Sequence, residues 1–154
     1  MTPAQKVAAV LGAAALATPL IAHFEGSINV GYRDPVGIPT SCVGHTGPDA
    51  IVGRRYTDDE CADQLARDAV KHGMEISSCL PSLPVETRAA FTSFAFNVGT
   101  AKACRSTMFA KARAGDLRGA CAELSKWTRA GGVVLKGLVR RRGAERAMCL
   151  RGLA

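Results

Sequence analysis

The 154-residue chain is poor in aromatic residues, which make up 5% of it, and Trp127 is its single tryptophan. No basic stretch is interleaved with aromatic side chains, the arrangement on which proteins that bind single-stranded nucleic acid stack bases. The formal net charge of +7 indicates an anionic partner, for which nucleic acid, acidic phospholipid and the bacterial cell wall are the candidates. Because the aromatic array is missing, the sequence predicts no nucleic-acid partner.

Internal repeats, low-complexity linkers and any sign of a second domain are also missing. Apolar residues make up 47% of the chain and charged residues 21%, a balance typical of globular proteins. A chain of this length can bury one sizeable core but not two independent ones. These features exclude a disordered chain and a repeat array.

The six cysteines form no CxxC pair and have no Cys/His spacing of the kind that binds zinc, so no metal site is predicted. An even number of cysteines without metal spacing indicates disulfides and an oxidising compartment. Fifteen pairings are possible for six cysteines, and sequence does not fix the choice among them. The pairing we favour is Cys79 with Cys104, Cys121 with Cys149, and Cys42 with Cys61.

Two acids and a hydroxyl lie close together near the end of the first apolar segment. Glu25 ends that segment, Asp34 follows nine residues later in a turn rich in glycine and proline, and Thr40 comes six residues after Asp34. Cleaving a glycosidic bond takes one protonated acid and one ionised carboxylate. Acids on different structural elements have different environments, and these separate their two pKa values. The spacing alone is common by chance, but it is compatible with acid/base attack of water on a sugar.

The sequence motifs around these acids resemble those of the tailed-phage lysozymes, glycoside hydrolase family 24. The resemblance runs from about His23 to Leu150. It rests on His23-Phe24-Glu25-Gly26, Tyr32-Arg33-Asp34, Gly37-Ile38-Pro39-Thr40 and Gly44-His45-Thr46-Gly47, and further along on Phe96-Asn97-Val98-Gly99, Trp127-Thr128-Arg129-Ala130-Gly131-Gly132 and Gly137-Leu138-Val139-Arg140-Arg141-Arg142.

The resemblance implies an α+β, lysozyme-like fold with a small β-lobe, a mainly helical lobe and an N-terminal apolar helix. It implies hydrolysis of the β-1,4 bond between N-acetylmuramic acid and N-acetylglucosamine in peptidoglycan, with no metal or other cofactor. Glu25 is then the general acid, Asp34 the second carboxylate, and Thr40 a residue that helps to place the water. The family inverts the anomeric carbon, for which the two carboxyl groups lie roughly 6.5 to 9.5 Å apart.

Four further residues have two interpretations each. His45 is a third catalytic or substrate-binding group or, as we favour, a structural residue that holds its turn. Asn97 binds an N-acetyl sugar or caps a helix end, and Trp127 stacks on a sugar or, as we favour, anchors the core near the cleft. Arg141 belongs to a group of arginines of which one pairs with Glu25, or it lies on a solvated basic face.

The chain departs from the family at one place after the catalytic turn. The family pattern there is Thr-x-Gly-x-Gly-His, whereas this chain reads Thr40-Ser41-Cys42-Val43-Gly44-His45. A cysteine side chain must therefore be accommodated at Cys42, where the family often has none.

The first 24 residues contain a run without charge from residue 7 to residue 22. A helix of that length spans about 24 Å, short of a hydrocarbon core of about 30 Å. Three interpretations remain open: a cleaved signal peptide, a buried helix in which Thr18 is the N-cap and Pro19 the first residue, and a signal anchor. A signal peptide fits the length of the segment, with Ala15-Leu16-Ala17 as a small-residue cleavage site, and the buried helix rests on the last part of it.

Phage lysozymes of the signal-anchor-release type combine these features, and the resemblance favours that type. It implies a chain divided into an anchor segment, 1–24, and a catalytic domain, 25–154. The protein is then exported, tethered to the inner membrane through residues 7–22, and released into the periplasm, where we expect a monomer. The alternatives are a basic protein that disrupts membranes and a lytic transglycosylase on the same fold.

Helix signals are clearest in the middle of the chain. Thr57 and Glu60 form a capping box, which predicts a helix that continues to about His72 and ends at Gly73. Frequent glycine and proline with short apolar runs between residues 28 and 52 predict a small antiparallel sheet that carries the catalytic turn.

Overall fold

A computed structural model describes all 154 residues, with seven α-helices, one short 3-10 helix and four short strands. The order along the chain is α1 (Pro3–Glu25), β1 (Ile28–Arg33), β2 (Pro39–Cys42), α2 (Asp58–Ile76), α3 (Val85–Val98), α4 (Thr100–Cys104), α5 (Thr107–Arg113), α6 (Leu117–Glu123), the 3-10 helix Leu124–Lys126, β3 (Arg129–Ala130), β4 (Val133–Val134) and α7 (Lys136–Arg151).

Helix α3 is the centre of the helical lobe and packs against α1, α2 and α7. Its residues Phe91 and Phe94 are fully buried, and Phe91 packs against Phe109 of α5 with the ring centroids 5.2 Å apart. The helix ends before Gly99, whose φ of +92° leaves the helical region. Glycine thus ends the helix that lies at the centre of the core.

Helix α1 begins at Pro3, not at Pro19. Thr2 caps it through a capping box with Gln5, and Pro3 occupies the first position, where its missing N–H costs nothing. The prediction that Thr18 is an N-cap is wrong, because its hydroxyl donates to the Ala14 carbonyl (2.7 Å) one turn earlier. The helix continues through Pro19, where one backbone hydrogen bond is lost.

The buried stripe of α1 consists mainly of small residues that let it lie close to α2 and α3. Ala13, Ala17 and Ile21 are fully buried and share a core with residues of both neighbouring helices. In this structure residues 1–24 are therefore part of the same core as the rest of the chain. The opposite face still exposes Val7, Leu11 and Leu16.

The length of α1 revises the estimate made from residues 7–22. The helix has 23 residues and spans about 34 Å, which is enough to cross a hydrocarbon core of about 30 Å. It is the one helix in the chain that is long and apolar enough to do so. Length and composition are thus compatible with a membrane-spanning state as well as with the packed state seen here.

Helix α2 starts as predicted and ends later than predicted. Thr57 Oγ1 accepts from the Glu60 N–H (3.1 Å), and Glu60 accepts from the Thr57 N–H (2.8 Å), so the capping box is confirmed. The helix runs through Gly73 to Ile76. Gly73 is buried, and a Cβ there would lie 3.0 Å from a methyl group of Val10, so this glycine permits close approach of α1 and does not end α2.

The β-lobe is an antiparallel hairpin of β1 and β2, as the glycine and proline pattern predicts. Arg33 pairs with Pro39 at the end of the hairpin, and the loop between them begins with Asp34. Gly31 lies where a Cβ would meet the Ile51 carbonyl oxygen at 1.9 Å, so only glycine fits there. The hairpin thereby packs closely on the loop that follows it.

Three disulfides tie the elements together, and their pairing is the one favoured from the sequence. Cys42 pairs with Cys61, Cys79 with Cys104, and Cys121 with Cys149, and no cysteine is free. The first joins β2 to α2 beside the hairpin that carries Asp34. The last joins α6 to α7 in the core, where both residues are fully buried.

Removing the Cys121–Cys149 disulfide with paired alanine substitutions is expected to lower the free energy of unfolding. The two residues are 28 apart in sequence. A disulfide across a loop of that size stabilises the fold by about 3 to 4 kcal/mol, because it lowers the conformational entropy of the unfolded chain. Urea unfolding measures the loss. The matched control removes Cys79–Cys104, which are 25 apart and only partly buried, and should lose less because less packing is removed. Equal unfolding midpoints for wild type and the core pair would contradict the expectation.

Candidate active site

Glu25 is the last residue of α1, and Arg141 of α7 holds its carboxylate. Arg141 Nη1–H donates to Glu25 Oε1 at 2.5 Å. The guanidinium is almost completely buried, with 4% of the side chain exposed, whereas 30% of the Glu25 side chain is exposed. The buried guanidinium thus fixes one carboxyl oxygen of Glu25, while the rest of the carboxyl group remains open to solvent. A group that donates a proton to a bound substrate needs this access.

Arg141 is itself fixed by a buried polar network in α7 and α3. Its Nε–H donates to Glu145 Oε1 (3.1 Å), and its Nη2–H donates to the Ser93 carbonyl (3.2 Å). Glu145 also accepts from the Ser93 hydroxyl (2.7 Å) and from Arg142. Every one of these side chains is buried, so their hydrogen bonds define a single arrangement behind Glu25.

The charges of this cluster balance. Glu145 is fully buried and pairs with both Arg141 and Arg142, and Glu25 supplies the second carboxylate. Burial lowers the pKa of Arg142, while Glu145 opposes that shift, and the guanidinium stays protonated at neutral pH. Glu145 supplies one negative charge for the two guanidinium groups, and Glu25 supplies the other.

Asp34 lies in the loop of the hairpin with one carboxyl oxygen committed to the backbone. Its Oδ1 accepts hydrogen bonds from the N–H groups of Val36 and Ile38, both at 2.9 Å. The Asp34 N–H donates to the Ile38 carbonyl (3.0 Å), which closes the turn. These bonds stabilise the carboxylate and orient it, and they leave Oδ2 as the oxygen available to a water molecule.

Thr40 and Cys42 follow on β2. The Thr40 hydroxyl donates to the Ile38 carbonyl (2.9 Å), so its oxygen can only accept from a further partner such as water. Cys42 is the only residue other than glycine with a positive φ, at +54°. The left-handed conformation explains why the family has glycine there, and the disulfide to Cys61 helps to hold the strained cysteine in place.

His45 is buried, with both ring nitrogens engaged. Nδ1 lies 2.9 Å from Asp68, and Nε2 lies 2.7 Å from Asp49. Burial lowers the pKa of His45, but the hydrogen bonds and charges of these two aspartates outweigh it and raise the pKa. The pKa of Asp49 is held well below its usual range, first by the hydrogen bond from Arg67 and then by that from His45. No ring nitrogen is left for a sugar, so the structural interpretation of His45 fits the geometry and the substrate-binding one does not.

His45 is expected to make stability depend on pH. Its pKa is raised in the folded state, so its ion pairs stabilise the fold fully below pH 6.5 and are lost as pH rises through the folded-state pKa. His45→Gln should therefore lose more stability, measured by urea unfolding, at about pH 5.5 than at about pH 8.5. His72 is the matched control, because burial lowers its pKa and reverses the sign. Equal losses for His45→Gln at both pH values would contradict the assignment.

A groove of about 450 Å³ runs beside Glu25, and a second of about 530 Å³ continues from it. Glu25, Asn97 and Arg141 line the first, and Asn97 also lines the second together with Trp127. Asp34, Thr40 and His45 line neither groove. The structure thus brings three of the six predicted residues, Glu25, Asn97 and Arg141, together at the groove on the helical lobe. Asp34 and Thr40 lie on the hairpin.

Asn97 and Trp127 have definite places along this wall. Asn97 is exposed, its amide oxygen accepts from Arg142, and its NH₂ group is left for a ligand. It does not cap the helix end, since Gly99 does so. Trp127 packs edge to face on Phe94 with the centroids 5.0 Å apart, which agrees with a core anchor near the groove.

Two features of the site were not predicted from the sequence. Arg142 and Glu145 complete the buried network. Glu145 lies four residues after Arg141 and three after Arg142 on one helix, and that spacing was the available signal. Strands β3 and β4 form a hairpin beside the second groove, and its signal was the pair Gly131–Gly132 between two short segments. No three His, Cys, Asp or Glu side chains meet in a way that could hold a metal ion.

The chain is similar to known proteins over nearly its whole length. It matches the Phage lysozyme family over residues 22–145. It is 40% identical over 148 residues to the SAR-endolysin of Bacteriophage PS119, which covers 92% of this chain and 89% of that protein. Among solved structures, the muramidase domain of SpmX from Asticaccaulis excentricus has a TM-score of 0.80 at 26% identity, covering 88% of this chain and 95% of that one. The active form of P1 phage endolysin Lyz has a TM-score of 0.74 at 28% identity, covering 90% and 85%. The chain therefore belongs to the phage lysozyme family.

Proposed function

We propose that this chain is a signal-anchor-release endolysin that hydrolyses peptidoglycan and lyses the bacterial host. Its activity is that of a lysozyme-type glycoside hydrolase, and its bond is the β-1,4 bond between N-acetylmuramic acid and N-acetylglucosamine. Relatives named SAR-endolysin, and solved structures named as a muramidase domain and an endolysin, support this assignment.

The observation that carries the proposal is the setting of Glu25. The residue stands at the end of α1 beside an open groove, and a buried guanidinium with its own buried counter-charge fixes one of its oxygens. A solvated surface carboxylate needs no such support. The arrangement is that of a group held in one geometry for proton transfer.

The chemistry follows from the two carboxyl groups. Protonated Glu25 gives its proton to the glycosidic oxygen as the bond to the anomeric carbon breaks. Asp34 Oδ2, with the Thr40 oxygen accepting a second hydrogen bond, orients a water molecule that attacks that carbon from the opposite face and loses its proton to Asp34. The products are an N-acetylglucosamine end with a free 4-hydroxyl and a reducing N-acetylmuramic acid end whose anomeric configuration is inverted. Inversion requires a carboxyl separation of roughly 6.5 to 9.5 Å.

The N-terminal helix has features suited to two environments. It is long and apolar enough to span the inner membrane, and its buried stripe of alanine and isoleucine also packs on α2 and α3. Residues 1–24 would first anchor the exported protein and then leave the membrane, which gives the packed α1 of the catalytic fold. In the periplasm the three disulfides form, and the enzyme acts as a monomer.

Digestion of purified sacculi tests the hydrolase against its rival, a protein that only disrupts membranes. Dye-labelled sacculi should release soluble dye with the wild-type protein, while vesicles of anionic phospholipid loaded with a fluorophore should stay intact. Vesicle leakage without release from sacculi would overturn the proposed function.

Fractionation of expressing cells, with intact-mass analysis, tests the anchor. The full-length mass should appear first in the membrane fraction and later in the periplasm. A periplasmic species shortened at its N-terminus would instead indicate a cleaved signal peptide. A chain found only in the cytoplasm would contradict export.

A further inference from the structure

A cavity of about 280 Å³ lies between the beginning of α1 and the connection from α2 to α3. It is at the end of α1 opposite to Glu25. Two of its lining side chains, Lys6 and Arg88, are cationic, two more, Ser77 and Ser82, carry hydroxyl groups, and none of the lining residues is acidic. The cavity therefore has positive charge and hydrogen-bond donors without a carboxylate.

Arg88 is a buried cation whose partners are all neutral. Only 5% of the residue is exposed. Its Nη1–H donates to the Ser77 hydroxyl (2.8 Å) and its Nη2–H to the Pro81 carbonyl (3.3 Å). Its Nε is the one buried side-chain nitrogen or oxygen in the structure that has no hydrogen-bond partner.

This situation differs from that of every other deeply buried arginine in the chain. Arg141 and Arg142 each pair with a buried carboxylate, whereas Arg88 has no acid among its partners. Burial lowers the pKa of Arg88, and no carboxylate opposes the shift. A buried charge is strongly unfavourable unless a counter-charge and full hydrogen bonding compensate for it.

We propose that this cavity binds an oxyanion of the phosphate class, held by Arg88 and Lys6. A guanidinium offers several N–H donors in a fixed plane that suits phosphate oxygens, and Lys6 adds a second positive charge. The Ser77 hydroxyl donates to the Gly73 carbonyl (2.8 Å) and the Ser82 hydroxyl to Met1 Sδ (3.0 Å), so Arg88 and Lys6 supply the donors for the anion. Inorganic phosphate and a phospholipid headgroup share this chemistry, so either can supply the ligand.

The site couples anion binding to the position of α1. Lys6 lies on α1 and Arg88 on α3, so both reach the same anion only while α1 is packed on the protein. A ligand that binds only this state stabilises it by RT ln(1 + [L]/Kd), and packing of α1 in turn creates the site. The anion thus favours the state in which Glu25 is in place, independently of how the enzyme cleaves its substrate.

Thermal unfolding of the full-length, oxidised protein tests the site with inorganic phosphate as the probe and sodium chloride at equal ionic strength as the control. At a phosphate concentration about a hundredfold above Kd, the unfolding midpoint should rise by about 5 °C or more. Calorimetric titration gives the Kd directly. Equal effects of phosphate and chloride would overturn the proposal, because Arg88 would then only close the connection between α2 and α3.

Lys6→Gln separates binding from folding, since Lys6 is exposed and its removal does not disturb the buried arginine. The variant should bind phosphate about tenfold more weakly, the effect of losing one charge-assisted hydrogen bond. Lys71→Gln, which removes an exposed lysine from α2, is the matched control and should bind like wild type. Equal affinities for the two variants would also overturn the proposal.

A short-chain phosphatidylglycerol, used below its micelle concentration, identifies the source of the ligand. If it binds more tightly than inorganic phosphate and its binding depends equally on Lys6, the site recognises a lipid headgroup. If inorganic phosphate binds as well or better, the site recognises the free anion. Both results support an oxyanion site. If neither ligand binds, the proposal is contradicted.

Discussion

Glu25→Gln is expected to reduce peptidoglycan hydrolysis by about 10²- to 10⁴-fold, the usual contribution of a general acid. Glutamine keeps an oxygen that can accept the hydrogen bond from Arg141 but cannot give a proton to the leaving sugar. The fold should therefore survive while the rate falls. Initial rates on labelled sacculi, together with unfolding curves, measure the two effects separately.

Glu86→Gln is the matched control, because it changes an acid on α3 that makes no ion pair. Its rate should equal that of wild type. Asp34→Asn should also lose activity, because an amide cannot take the proton of the attacking water. A Glu25→Gln rate within about tenfold of wild type, in a folded protein, would show that Glu25 is not the acid.

Glu145→Gln is expected to cost about 3 to 5 kcal/mol of unfolding free energy, the usual effect of removing one partner from a buried ion pair. Glu145 is fully buried and pairs with two arginines that are themselves buried. The substitution leaves both guanidinium groups with an incomplete counter-charge. Urea unfolding at neutral pH measures the loss.

Glu123→Gln is the control for this prediction. Glu123 is also buried, but its partners Lys111 and Lys126 reach into solvent and can be rehydrated when the acid is lost. Its loss of stability should be clearly smaller. If the two variants were destabilised equally, the buried ion pairs of Glu145 would stabilise the fold no more than the solvent-accessible pairs of Glu123.

The parts of the site that lie close together in the chain were predictable from the sequence. Glu25, Asp34 and Thr40 fall within sixteen residues, and the glycine and proline pattern between them predicts the turn that the hairpin forms. Cys42 stands where the family pattern has glycine, and its positive φ is the conformation that glycine adopts most easily. Local rules suffice for these features because local geometry decides them.

The ion pair between Glu25 and Arg141 joins residues 116 apart in sequence, and only the motifs shared with the family pointed to it. No local rule identifies which of three adjacent arginines faces the acid. Residues that act from a distance, such as Glu145 and Ser93, become visible only when α3 and α7 are packed together.

The errors have a common physical cause. Thr18 with Pro19 is a good local signal for a helix start, and Gly73 is a good local signal for a helix end, but both lie inside long helices. At each of them the packing of α1 against its neighbours outweighs the local preference. The sequence predicts where a helix prefers to begin or end, and tertiary contacts decide whether it does.

Digestion of purified peptidoglycan in heavy-oxygen water, followed by mass spectrometry of the muropeptide ends, tests the central claim most directly. The account predicts reducing N-acetylmuramic acid ends that carry one heavy oxygen, formed by the wild-type protein and not by Glu25→Gln. Anhydro-muramic ends without heavy oxygen would show that water is not the nucleophile, and would contradict the roles assigned to Asp34 and Thr40.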